Sequence, residues 1–108
     1  MDKRISESTN SYIVEPSEML ENDGRCINMS VVEHVLNEVC DKFMENGHYT
    51  DVNFHKFVLV MSKSDYRMNI NLWNADNEVI AETVCYKPYI GYKQLVREYL
   101  IHIALNLP

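Results

Sequence analysis

At 108 residues, with 46% hydrophobic side chains, the chain is long enough for one domain around one modest core and too short for a second. Its longest unbroken apolar run, Phe57-Val-Leu-Val-Met61, falls far short of the roughly 20 residues that cross a bilayer, and the opening MDKRISESTN lacks a hydrophobic signal region. No membrane partner is expected, and the expected location is cytoplasmic. The formal charge of −6 is unevenly placed: residues 1–46 carry ten acids against four bases, and residues 47–108 carry six of each. An acidic N-terminal half repels phosphate backbones and attracts basic surfaces.

Residues 1–28 are polar, rich in Ser, Asn and Glu, and hold no sustained period of 2 or 3.6. They read as a flexible or loosely docked acidic arm, with Tyr12-Ile-Val14 and Met19-Leu20 as short anchors. The folded domain is expected over residues 29–108. Ser30-x-x-Glu33 has the form of a capping box, in which the hydroxyl and the carboxylate each satisfy a backbone N–H at a helix start. Val32, Val35, Leu36, Val39 and Phe43 then recur at helical steps, and Gly47 is a natural terminator.

From Phe54 the pattern changes to alternation. Strands are expected over 54–61, 66–73 and 78–86, separated by turns at Ser62-Lys-Ser-Asp65 and Ala75-Asp-Asn77. Pro88, which has no N–H to donate, suits the entry to a last helix that runs to about Leu107. Tyr92, Leu95, Val96, Tyr99, Leu100, Ile103 and Leu107 form the stripe of a helix lying on a sheet. The expected fold class is α+β: a single α-β-β-β-α domain with a three-stranded antiparallel sheet and both helices on one face.

No catalytic or cofactor signature emerges. The four histidines, His34, His48, His55 and His102, lack a second ligand at metal-binding spacing, the three cysteines are far apart, and the glycines are isolated. A non-enzymatic protein without metal or cofactor is expected, with its thiols reduced and mostly buried.

The first helix also carries a resemblance. Leu36-Asn-Glu-Val-Cys-Asp-Lys42 is similar to the Leu-Asn-Glu-Tyr-Cys-Gln-Lys of many double-stranded-RNA-binding domains, and the element order over residues 30–107 matches theirs. In that family a Lys-Lys-x-Ala-Lys cluster opening the second helix grips phosphates. Here the cluster reads Tyr89-Ile-Gly-Tyr-Lys93. The resemblance implies double-stranded RNA as a partner, contacted by Lys63, Arg67, Lys87 and Lys93.

A different surface gives the leading reading. Glu33, Asn37, Asp41 and Glu45 stand four apart on the first helix, a rise of about 6 Å per step that approaches the spacing of phosphates along a nucleic-acid strand. In style this resembles the small acidic phage inhibitors of the anti-CRISPR kind. It implies an inhibitor or adaptor that places Glu33, Asp41 and Glu45 against a basic surface of a nucleic-acid-processing protein. That reading requires those carboxylates to be free of the chain's own Lys and Arg. On the last helix, with Tyr92 at zero and about 100° per residue, Ile90, Ile101 and Leu105 fall opposite the core stripe. They are expected to meet the arm, a target, or a second copy in a homodimer through this outer helix face.

Overall fold

Asn28, two residues earlier than expected, begins the first helix of the protein. In this computed structural model, which describes residues 5–6, 11–22, 24–46 and 48–107, the Asn28 carbonyl accepts the Val32 N–H at 3.1 Å and its side-chain oxygen faces the Val31 N–H at 3.4 Å. Asn is among the best N-cap residues because that short side chain satisfies an orphan helical donor. Helix α1 therefore spans Met29–Asn46 with Ser30 inside it, and the capping box expected from Ser30 and Glu33 gives way to this Asn28 cap. Val32, Val35, Leu36, Val39, Cys40 and Phe43 are buried along one side. Gly47, expected to terminate the helix, lies outside the described residues.

The three expected strands are present, shifted by one to three residues. They are β6 (Phe57–Lys63), β7 (Arg67–Asn74) and β8 (Val79–Tyr86), paired as an antiparallel meander. The shift at Phe54 has a cause: its N–H closes a tight turn onto the Phe57 carbonyl at 2.8 Å, with His55 left-handed at φ 70°, while the Phe54 ring is fully buried. In the second turn the Asn74 side-chain oxygen takes the N–H groups of Asp76 and Glu78 at 2.9 and 3.0 Å. An Asx turn of this kind needs Asn or Asp at that position.

The sheet is larger than the expected three antiparallel strands. Strand β5 (Tyr49–Asn53) pairs antiparallel with β6, and β2 (Ser11–Ile13) pairs parallel with β5; the two residues of β1 (Ile5–Ser6) complete the edge. The sheet is thus mixed, in the order β1-β2-β5-β6-β7-β8. From residue 11 onward, the segment expected to be an arm is part of this layer. Tyr12, Val14 and Met19 are buried, and the Tyr12 hydroxyl donates to the Glu38 carboxylate on α1 at 2.6 Å. A single 3-10 turn (Pro16–Met19) then leads into a small hairpin of β3 (Leu20–Glu21) and β4 (Cys26–Ile27), and the Asn28 N–H bonds back to the Met19 carbonyl. Order in the described chain therefore precedes Ser30.

Helix α2 runs Tyr92–Leu105, preceded by Gly91 at φ 83°, a conformation that glycine adopts without the cost a Cβ brings. Val96, Leu100, Ile103 and Ala104 are buried with the α1 residues and with Thr50, Val52, Leu59, Met61, Met68, Ile70 and Leu72. Those sheet residues alternate along their strands and sit opposite one another in register, so both helices cover the same face. Among the described residues no helix is long and apolar enough to cross a membrane.

Candidate functional site

The acidic ribbon of α1 divides into two parts. Glu33 is taken by the chain itself: the Arg97 guanidinium of α2 reaches it with both Nε and Nη2, at 2.7 and 3.0 Å. These hydrogen bonds hold the Glu33 carboxyl below the usual carboxylate range. They outweigh the opposing loss of solvation, and the charges of Arg97 and Lys93 act in the same direction. Glu33 thus fails the requirement that the ribbon be free of internal cations. Asp41 and Glu45, with Asn37, are exposed, and neither carboxylate has an ion-pair partner among the described residues. Glu38, between Asn37 and Asp41 in sequence, is held by Tyr12 and by the His34 imidazole at 2.8 Å.

The sheet face turned away from the helices is a second surface. Side chains from neighbouring strands line up there as Asn53, Val58 and Trp73, as Asp51, Val60, Asn71 and Glu82, and as Tyr49, Ser62, Asn69 and Val84. Tyr49, Val58, Val60, Trp73, Asn74 and Asn77 line a shallow hollow of about 340 Å³. At its rim the Tyr49 hydroxyl donates to Asp51 at 3.0 Å, and partial burial together with that bond pushes the phenol up to about 12. The Asn71 side-chain oxygen is buried on this face without a hydrogen-bond partner among the described residues. The signal in the sequence was present but equivocal: Val58, Val60 and Trp73 alternate with the core residues, and their strands read as apolar on both sides.

The α1 acids and this hollow are close along the chain. Three residues separate Glu45 from Tyr49, so their Cα atoms lie within about 15 Å whatever path the connection takes.

The cations implied by the RNA-binding resemblance are partly gathered. Lys63 ends β6, Arg67 opens β7 opposite Tyr86, and Lys87 follows β8 with its N–H on the Tyr66 carbonyl, so these three share one end of the sheet. Lys63 is turned toward α1, its Nζ 3.8 Å from the Met44 sulfur and 5.1 Å from the Phe43 ring centre. Lys93 stands apart in the first turn of α2, where its charge acts on Glu33 and Cys40. Leu105 is exposed at 65% on the outer side of α2, whereas Ile101 is half-buried against the core; Ile90, expected on the same helix face, is exposed at 85% in the turn before the helix, which begins at Tyr92. Ile101 therefore does not belong to a freely presented apolar face.

Among the described residues no three His, Cys, Asp or Glu side chains converge to hold a metal. His55 meets Glu15 at 3.2 Å on the surface, and Cys40, buried against Tyr92, has its thiol pushed up to about 11 chiefly by loss of solvent. Neither arrangement frames a nucleophile with a base. No family model matches the chain, and no curated protein or solved structure matches it.

Proposed function

We propose that this protein is a non-enzymatic binding module, an acidic inhibitor or adaptor that docks on a basic surface of a nucleic-acid-handling protein. Asp41 and Glu45 steer the encounter, and the Tyr49–Trp73 hollow supplies apolar contact. The observation that carries this reading is the position of two exposed carboxylates, four residues apart and without an internal ion-pair partner among the described residues, at the end of α1, with Glu45 four positions before Tyr49 of the hollow. Glu33 serves the fold through Arg97 and is outside the proposed contact. The test is association with immobilised poly-L-arginine at low salt. Reversing Asp41 and Glu45 to Lys should slow association strongly, and reversing Glu21 and Glu98, an equal change of net charge at exposed positions away from the hollow, should slow it far less. Equal slowing by both pairs means general charge attraction and removes the proposal.

A second reading, a divergent double-stranded-RNA-binding domain, is favoured by the placement of Lys63, Arg67 and Lys87 at one sheet end. Each phosphate contact contributes about one unit to the salt slope. A duplex-RNA gel shift that weakens when Arg67 and Lys87 are changed to Ala supports it, and the absence of a complex at low salt eliminates it.

A further inference from the structure

Strand β8 ends the sheet: among the described residues it has a neighbour on one side only. The direction of its backbone groups follows from two observations. The Lys87 N–H bonds the Tyr66 carbonyl, and Tyr86 stands opposite Arg67. In an antiparallel ladder hydrogen-bonded and non-bonded pairs alternate, so residues 81, 83, 85 and 87 bond to β7, and the N–H and C=O groups of Glu82, Val84 and Tyr86 point outward. An edge of this kind is a template for another strand unless something guards it. From Ile80 to Tyr86 the strand holds no Pro, no Lys and one charge, Glu82; its single irregularity lies at its start, where the register slips opposite Leu72 and Trp73. Val84 and Tyr86 are 37% and 66% exposed.

We infer that the β8 edge is a self-association site, in which two copies of this chain pair antiparallel about a two-fold axis through Thr83 and join their sheets. The occupant and register follow from the pattern of the strand. Pairing that sets an outward-facing residue against an inward-facing one makes no ladder, so the axis must pass through a residue position. An axis at Glu82 sets two carboxylates face to face, which is destabilising. An axis at Val84 pairs only the stretch from Glu82 to Tyr86. An axis at Thr83 pairs Ala81 through Cys85, with Glu82 opposite Val84 and Ala81 opposite Cys85, and brings Tyr86 against Ile80 at the register slip. It also lays the acidic start of each strand, Glu78, alongside Lys87 of the other copy, so both ends are complementary in charge. The arrangement is isologous, as a closed dimer requires, and it leaves Asp41 and Glu45 outside the junction.

Sedimentation of the full chain from low micromolar to near-millimolar concentration tests this. The expected result is a monomer–dimer equilibrium that Val84→Glu shifts to monomer, since it sets a second carboxylate against Glu82 of the other copy, and that Val84→Pro also abolishes, since that proline removes an outward N–H and leaves the bonds to β7 in place. Register is read by mild oxidation in a Cys26→Ser, Cys85→Ser background. Thr83→Cys, which places two thiols across a close non-bonded pair, should cross-link at least several-fold faster than Glu82→Cys or Val84→Cys. Circular dichroism of each variant confirms that the fold is retained. A monomer at every concentration, or a dimer that survives Val84→Glu and Val84→Pro but is lost in Leu105→Lys, overturns the inference.

Discussion

The two faces of one sheet follow different rules. On the face under the helices, Val52, Leu59, Met61, Met68, Ile70 and Leu72 are fully buried and form a continuous core with α1 and α2. On the other face, Val58, Val60 and Trp73 are only half-covered and alternate with Asp51, Asn69, Asn71 and Glu82. Stability rests on the first face, and recognition is proposed for the second and for the exposed acids at the end of α1. A substitution should therefore damage folding or binding according to the face on which it falls.

The widest separation should come from truncating paired positions. Leu59→Ala removes a fully buried side chain and should cost about 2–5 kcal/mol in denaturant unfolding, whereas Val60→Ala, its neighbour on the open face, should cost less than about 1 kcal/mol. Equal losses would mean that the outer face is as tightly packed as the inner one. Met19→Ala extends the comparison to the N-terminal segment: if residues 11–28 are part of the core, this change also costs about 2–5 kcal/mol, and a neutral result would make them a detachable arm. Tyr12→Phe should be milder, at about 1 kcal/mol, because it deletes the hydroxyl bond to Glu38 and keeps the ring in place.

The smallest effect concerns the Glu33–Arg97 pair, which is solvent-screened. A carboxyl held low in the folded state adds stability above its unfolded pKa, and that stability is lost as pH falls through the folded value. Arg97→Gln should accordingly lower the thermal midpoint slightly at neutral pH. The gap from the parent should close in acid, and the Glu33 carboxyl should titrate at higher pH by NMR. A gap that is constant with pH would assign the loss to packing of the Arg97 stem instead.

How much of this was readable beforehand depended on distance along the chain. The α1 stripe, the β6-β7-β8 meander and α2 were legible because each is specified by residues three or four apart, or by turns that Asn74 and its neighbours close locally. Strands β2 and β5 were not, since Tyr12 and Val52 are each the sole strongly apolar inward residue of a short strand, and the parallel pairing between them joins segments about forty positions apart. The same reason hid the fate of Glu33. Nothing in its local pattern separates it from Asp41 and Glu45, and the guanidinium that claims it comes from the far end of the sequence. The extent of the open face was hidden because alternation shows which residues share a side without showing which side the helices cover.

A cationic partner is proposed to meet the end of α1 together with the hollow that Tyr49 borders. Mapping backbone amide shifts during titration with nona-arginine at low salt tests it most directly. The largest shifts should fall at Asp41, Glu45, Tyr49 and Trp73, with little change at Glu33. Shifts spread evenly over Glu15, Glu21 and Glu98, or absent from the end of α1, would contradict it.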